Sequence, residues 1–61
     1  MTKLGEYLES IGMSRRRLAR ETGLDYRTVS DLCSGKTEGN LATWKLIAKA
    51  LGCKLDEIVE V

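Results

Sequence analysis

The chain has 61 residues, of which 43% are hydrophobic and 31% charged, and its formal net charge is +1. A chain of this length is expected to form one domain over residues 1–61, with little room for a deep catalytic cleft. No apolar run approaches the roughly 20 residues that span a bilayer, and the N-terminus is unlike a signal peptide, so we expect a cytoplasmic protein without a membrane partner.

The first predicted element is an amphipathic helix from Thr2 or Lys3 to about Ser10. Gly12 then acts as its stop signal. The apolar residues of this segment repeat at the i, i+3, i+4, i+7 spacing that turns one helix face toward a core. They are Leu4, Tyr7, Leu8 and Ile11.

Two further short helices are predicted next, at about 14–22 and 25–33. Ser14 and Asp25 are favourable N-cap residues for them, because a short side-chain oxygen accepts a hydrogen bond from an unpaired backbone amide. Gly23 lies between the two helices and tolerates the positive φ that a sharp turn after a helix requires.

The spacing of Ala19, Gly23 and Val29 has a mechanical meaning. Two helices that cross closely need a small residue at the crossing, which Ala19 supplies. The second helix needs an inward apolar anchor, which Val29 supplies. With the tight turn between them, these intervals predict a helix-turn-helix, which places its second helix in the major groove of DNA.

The second half of the chain predicts a glycine-containing loop at about 34–39, followed by two helices. Asn40 is the expected cap of the fourth helix, and Gly52 is its stop signal. The apolar stripe of this helix consists of Leu41, Trp44, Ile47, Ala48 and Leu51. A short fifth helix follows, with Asp56 and Glu57 in its first turn, where the helix dipole favours anions. Its apolar residues are Leu55, Ile58 and Val59.

These elements predict an all-α fold in which five helices surround one core. The expected core residues are Leu4, Leu8, Leu18, Val29, Leu32, Trp44, Ile47, Leu51 and Ile58. Cys33 and Cys53 match no metal-binding spacing, and the chain has no histidine. We therefore expect both cysteines to be small buried apolar residues and expect no metal or cofactor.

The charges are unevenly distributed along the chain. Residues 14–36 contain six basic and three acidic residues, a net charge of +3, whereas the segments before and after each sum to −1. A basic region on a slightly acidic body is expected where one face meets phosphate. The alternative is that these charges form an ordinary solvated helix face.

The helix-turn-helix segment and the end of the chain resemble the phage lambda-repressor-like helix-turn-helix family, also called the XRE family. The first part of the resemblance lies in Leu18-Ala19, Gly23-Leu24, Val29-Ser30 and Ser34-Gly35. The second part lies in residues 46–52 and 55–58, which are similar to the fourth and fifth helices of the family. The resemblance implies a compact five-helix domain that binds operator sites in double-stranded DNA, usually as a symmetric dimer.

The resemblance also implies roles for individual residues. The expected base-reading residues on the second helix of the motif are Tyr26, Arg27, Thr28 and Ser30. The expected phosphate contacts before and after them are Ser14, Arg15, Arg16, Lys36 and Thr37. Many members of the family carry glutamine where this chain has Arg15 and Tyr26, which leaves the operator sequence open. Partial packing of Tyr26 against the core is an alternative to base reading.

The chemistry of several of these residues suits such roles. Positive charge in the first turn of a helix opposes the helix dipole, so Arg15 and Arg16 are easier to understand if a phosphate lies nearby. Arg27 can bind guanine through O6 and N7. The alternatives are tolerated surface arginines, an ion pair between Arg27 and Asp31, and a Ser30 hydroxyl bonded to its own backbone.

The leading functional hypothesis is a sequence-specific transcriptional regulator that binds DNA. The alternative is a protein-interaction module with the same fold, such as an adaptor or an antitoxin, which the modest net charge and the carboxylates of Asp25 and Asp31 favour slightly. An enzyme is not expected, because no catalytic constellation can be assembled from these residues. No small-molecule ligand is evident, and the direction of regulation stays open.

The expected oligomeric behaviour is a monomer at low concentration that pairs on DNA. The segment from Ile58 to Val61 is the most plausible apolar patch for a homodimer. The alternative is that Ile58 or Val59 is needed in the core.

Overall fold

The computed structural model describes residues 2–59, which form four α-helices and one 3-10 helix and contain no strand. The elements in chain order are α1 (Lys3–Ile11), α2 (Arg15–Thr22), α3 (Tyr26–Ser34), α4 (Leu41–Leu51) and the 3-10 helix (Leu55–Glu57). The predicted all-α fold is confirmed. The fifth element is a single short turn, because the backbone leaves helical geometry at Ile58, with φ −124°.

The helix boundaries follow local hydrogen bonding at the caps. Ser14 Oγ accepts a hydrogen bond from the backbone amide of Arg17 at 3.0 Å, which starts α2. Asn40 caps α4 in the same way. Asp25 occupies the N-cap position of α3, but its side chain makes no capping hydrogen bond. The expectation that Asp25 stabilises the start of α3 through its carboxylate is therefore wrong, and that carboxylate is available to other groups.

One apolar core joins all the elements. Its buried members are Leu4, Leu8, Leu18, Ala19, Val29, Leu32, Cys33, Ile47, Ala48 and Ile58. Trp44 and Leu51, also predicted for the core, are only partly buried and pack against its edge. Cys53 was expected to be buried like Cys33 and is instead partly exposed.

Two residues of the predicted apolar stripes lie outside the core. Ile11 is 47% exposed and Leu41 is 61% exposed. Ile11 is the last residue of α1 and Leu41 the first residue of α4. The helix ends extend past the core at these two positions. Ile11 and Leu41 therefore follow the apolar spacing of their helices without being buried.

The predicted C-terminal dimer patch is only partly open to test. Ile58 has no exposed surface and belongs to the core, which is the alternative stated above and removes it from any surface patch. Val59 is partly buried against the same core. The remainder of the patch, residues 60–61, lies outside the described residues.

The α2–turn–α3 unit is held against the rest of the molecule from two sides. α2 packs against α3 and α4, and α1 packs against α3. Thr2 links α1 to α3, because its hydroxyl donates to the carbonyl oxygen of Cys33 at 2.7 Å and accepts from the amide of Gly5 at 3.0 Å. The orientation of α3 is therefore fixed at its C-terminal end as well as at the turn.

The loop after α3 is anchored on α4. Trp44 Nε1 donates to the carbonyl oxygen of Glu38 at 2.8 Å. Gly39 lies beside this bond with φ +70°, and a Cβ there would stand 2.8 Å from Leu32 Cδ2 and 3.2 Å from Trp44 Nε1. Only glycine satisfies both the left-handed backbone and the close approach at this position. The loop thus has a defined path over the edge of the core.

Truncation of the core should destabilise the protein strongly. Leu18 has no exposed surface, so we expect Leu18→Ala to lower the free energy of unfolding by about 2–5 kcal/mol, a large part of the total for so small a domain. Leu41→Ala is the matched control, since Leu41 is 61% exposed and its loss should change stability by less than about 0.5 kcal/mol. Urea denaturation followed by circular dichroism measures both, and equal effects would contradict the core assignment.

Candidate nucleic-acid interface

The turn between α2 and α3 sets the geometry of the candidate site. Gly23 adopts φ +76° and ends α2, and its backbone amide donates to the carbonyl oxygen of Ala19 at 2.9 Å. Ala19 is buried in the core, as expected for a small residue at a close helix crossing. These two residues let α3 start immediately beside α2 rather than continue along its axis.

One side of α3 packs into the core, and the other side faces solvent. Its buried residues are Val29, Leu32 and Cys33. Tyr26 is 47% exposed, Arg27 is exposed, and Ser30 is half-buried. Because helical residues four positions apart lie on one face, Tyr26 and Ser30 share the side next to α2, and Arg27 and Asp31 share the outer strip.

Arg15 connects the start of α2 to the middle of α3. Its Nη1 atom donates to Ser30 Oγ at 3.1 Å. A predicted phosphate contact and a predicted base-reading residue are thus in direct contact. The predicted phosphate contacts and the predicted base-reading residues are therefore linked by this hydrogen bond.

Arg16 makes a second connection between the same two helices. Its guanidinium carbon lies 5.1 Å from the centre of the Tyr26 ring, within the range of a cation–π interaction. The ring of Tyr26 is therefore held from the α2 side. This contact accounts for the exposed position of Tyr26 better than packing against the core does.

The remaining arginines and acids of the unit do not form the pair that was weighed as an alternative. Among residues 2–59, Arg27 makes no hydrogen bond or ion pair, so the Arg27–Asp31 pair is absent. The side chain of Arg17 is likewise without a polar contact within the described residues. The first turn of α2 contains no acidic residue to balance its three arginines. The helix dipole and these charges together favour an anion near this end of α2.

Lys36 and Thr37 lie on the other side of α3, in the loop that follows it. Both are exposed. The amide of Lys36 donates to the carbonyl oxygen of Asp31 at 2.9 Å, which continues the end of α3 into the loop. With the bond from Trp44 to Glu38 beyond it, this fixes the path of the backbone at Lys36 beside the end of α3.

Two predicted site residues are placed less clearly. Thr28 is half-buried and lies on the flank of α3 away from Tyr26 and Ser30. Ser14 Oγ accepts the capping bond of α2, and its hydroxyl proton is donated to no group within residues 2–59. Asp31 was considered as a partner of Arg27 and, together with Asp25, as a feature that favours the interaction module. It lies one turn after Arg27 on the outer strip. The i, i+4 spacing of Arg27 and Asp31 in the sequence already predicts that the two residues share one helix face.

The thiol of Cys33, on the buried side of α3, is in an environment that disfavours the reactive thiolate. Burial raises the pKa of Cys33, and the positive charge of Arg15 lowers it only in part. A raised pKa keeps the thiol protonated near neutral pH, which is typical of a structural cysteine. No group of three or more His, Cys, Asp or Glu residues within 2–59 is arranged to hold a metal ion. In the same range, every helix is too short or too polar to cross a membrane.

Comparison with known proteins identifies the class of this fold. The sequence model of a family described as helix-turn-helix matches residues 4–58, which contain α2, the turn and α3. The chain therefore belongs to the lambda-repressor-like, or XRE, helix-turn-helix family, which is a DNA-binding family. The resemblance seen in the sequence is confirmed. No curated protein and no solved structure matches the chain.

The contact between Arg16 and Tyr26 should be measurable in the free protein. We expect a double-mutant cycle of Arg16→Ala and Tyr26→Leu to give a coupling of about 0.5–1 kcal/mol in the free energy of unfolding. In nuclear magnetic resonance spectra, the ring current should shift the side-chain protons of Arg16 upfield, and Tyr26→Leu should abolish that shift.

Arg17 provides the matched control for this contact. It belongs to the same turn of α2 and carries the same charge, but its side chain makes no polar contact within residues 2–59. Arg17→Ala combined with Tyr26→Leu should be additive. An unshifted Arg16 spectrum in the wild type would contradict the contact.

Proposed function

We propose that the protein is a sequence-specific DNA-binding transcriptional regulator whose helix α3 enters the major groove. The observation that carries the proposal is the division of α3 in a helix-turn-helix family member. One side is anchored in the core, and the other presents Tyr26, Arg27 and Ser30 beside the arginines of α2. A rigid helix with polar side chains on its free face suits the reading of base edges.

Arg27 is the residue we propose for the strongest base contact. It is exposed, and no partner within residues 2–59 competes for its guanidinium group. A free guanidinium can donate two hydrogen bonds to guanine O6 and N7. Tyr26, with its ring held by Arg16, can contact a thymine methyl group, and the short side chain of Ser30 can approach base edges from the same flank of α3. Thr28 is proposed to approach them from the opposite flank.

The proposed phosphate contacts lie on both sides of α3. At the α2 side they are Ser14, Arg15 and Arg16, and on the loop they are Lys36 and Thr37. This arrangement follows the basic segment 14–36, whose net charge is +3. Such contacts supply affinity for any sequence and fix the register of α3 in the groove.

We further propose that two copies bind one site as a homodimer. The family relationship supports a pseudo-palindromic site with half-sites about one helical turn apart. Since Ile58 is in the core, the pairing surface must use other residues. The protein would act where the DNA is, in the cytoplasm or nucleoid.

A second candidate function is a protein-interaction module with the same fold, such as an adaptor or antitoxin. The observation that favours it is the carboxylate of Asp25, which is exposed at the start of α3 and is not used for capping. Asp31 adds a second acid to the same helix. Acids on the recognition surface repel phosphate and would suit a basic protein partner.

Selection of bound sequences from a random pool of duplexes tests the proposal directly. We expect the wild-type protein to enrich a defined motif and to bind it more weakly as salt rises, because phosphate contacts release counterions. A mobility shift on the selected and a scrambled duplex then gives the specificity ratio. Failure to enrich any motif at low salt would overturn the regulator and favour the interaction module.

Arg27 and Lys36 should have different effects on binding. We expect Arg27→Ala to cost about 1–3 kcal/mol on the selected duplex and much less on a scrambled one, because a base contact discriminates between sequences. Lys36→Ala should weaken both and lower the salt slope by about 0.9, because a phosphate contact does not discriminate.

The two variants serve as controls for each other, since each removes one exposed cation near α3. Affinities for both duplexes over a salt series provide the measurement. If Arg27→Ala lowers both affinities equally, α3 is not the reading helix in the way proposed.

Pairing should depend on DNA. We expect a monomer at low micromolar concentration and two copies on a selected duplex that contains both half-sites. Analytical ultracentrifugation with and without the duplex distinguishes the states. A tight dimer at nanomolar concentration without DNA would contradict this expectation.

A further inference from the structure

A groove of about 430 Å³ lies at the C-terminal end of α3, beside the loop that leads to α4. Among the residues that line it are Leu32, Trp44 and Val59. Thr2 also lines it, but the hydroxyl of Thr2 and the indole N–H of Trp44 are already hydrogen-bonded within the protein. The groove therefore suits an apolar side chain better than a polar ligand.

An exposed leucine lies next to this groove. Leu41 is 61% exposed, more than any other large hydrophobic residue within 2–59. It precedes Trp44 by three residues on α4, and residues at this spacing share one side of a helix. Leu46 is 40% exposed, but it lies two residues after Trp44 and hence on the opposite side of α4. A groove and a protruding leucine are thus adjacent on one surface.

The charges on either side of Leu41 have opposite signs. Glu38 precedes it in the loop, and Lys45 follows it by one turn of α4. Both are exposed, and within residues 2–59 neither forms an ion pair. A two-fold interface requires a self-complementary surface, in which each feature meets its counterpart on the other copy. A groove beside a leucine, and an acid beside a base, meet that requirement.

We infer that this surface pairs two copies of the protein. Leu41 of each copy enters the groove of the other, and Glu38 of one copy faces Lys45 of the other. This inference rests on the proposed function, in which two copies share one DNA site. The exposed residues Tyr26 and Arg27 of α3 do not line the groove, so pairing leaves them accessible to DNA.

The size of the protein agrees with a small pairing surface. The backbone extends over 25 × 21 × 21 Å. Half-sites one helical turn apart are about 34 Å from centre to centre, so two bound copies leave roughly 10 Å between their backbones. That gap is about the separation of packed helices, and protruding side chains can bridge it. The contact is small, so we expect it to form mainly when DNA holds both copies.

Leu41→Ser tests the apolar contact without changing charge. Affinities are measured on a duplex with both half-sites and on a duplex with one. We expect Leu41→Ser to lower the cooperativity between the two copies by about 10-fold or more, because the burial of a leucine is lost from both sides of the interface. Binding to the single half-site should not change. Leu46→Ser is the matched control on the opposite side of α4 and should leave both affinities unchanged.

Exchange of the two charges tests the orientation of the pair. Glu38→Lys and Lys45→Glu should each lower the cooperativity by about 2- to 5-fold, because like charges then meet across the interface. The double variant should restore it, since the pair is then reversed. The bond from Trp44 uses the carbonyl oxygen of Glu38, so the substitution at Glu38 leaves that acceptor in place. The single half-site duplex corrects for any effect on DNA contacts.

A measurement without DNA separates this inference from the proposed function. Nuclear magnetic resonance spectra of the wild type and of Leu41→Ser are recorded from low micromolar to millimolar concentration. We expect the signals of Thr37, Leu41 and Trp44 to move with concentration in the wild type, and those of Thr37 and Trp44 to stay constant in the variant.

When the wild type enriches a DNA motif, the cooperativity decides. Equal losses on both duplexes with Leu41→Ser would make Leu41 a DNA contact and overturn the inference, as would non-cooperative binding by the wild type. A loss of cooperativity with Leu46→Ser would place the interface on the other side of α4. When no motif is enriched, the proposed function fails and the spectra decide. Constant wild-type spectra would then overturn the inference and leave the groove to another occupant. Circular dichroism of each variant confirms that the fold is kept.

Discussion

The left-handed backbone at Gly23 is the constraint on which the rest of the structure depends. A continued helix would carry α3 away from α2, whereas the reversal at Gly23 returns the chain so that Val29 reaches the core. The close crossing at Ala19 then brings the first turn of α2 beside the exposed side of α3. Both cross-helix contacts, from Arg15 and from Arg16, exist only because this turn is tight.

Apolar and charged side chains are almost completely separated between the interior and the surface of the described residues. Within residues 2–59 every buried side chain is apolar, and none is polar or charged. Stability therefore comes from apolar packing, and the charged groups are left for the surface. For so small a domain this separation means that changes on the exposed side of α3 cost little stability. The residues on that face can therefore vary while the core stays the same.

Much of the fold could be predicted from the sequence because its signals are local. Capping side chains and the glycines after each helix placed the boundaries, and the apolar spacing identified nearly all of the core. The errors at Ile11 and Leu41 arise where periodicity continues beyond the last point of contact. Asp25 is at the N-cap position of α3 as the sequence predicts, but the absence of a capping bond depends on the orientation of its side chain, which the sequence does not specify.

The candidate site was predictable as a set of residues but not as a set of contacts. The residues proposed for bases and for phosphates were chosen by position along two helices, which requires only the motif. That Arg15 bonds Ser30, and Arg16 covers Tyr26, depends on the crossing of the helices and on long flexible side chains. Such contacts link residues that a linear motif assigns to separate roles.

The hydrogen bond between Trp44 and Glu38 makes Trp44 an intrinsic fluorescent reporter of the loop that follows α3. Trp44 is the only tryptophan in the chain, and its indole N–H is bonded to Glu38, two residues beyond Lys36. Indole emission responds to hydrogen bonding and to solvent access, so movement of this loop changes the colour and intensity of the fluorescence. Changes at the surface that carries Lys36 and Thr37 can therefore be followed by intrinsic tryptophan fluorescence, without an attached dye.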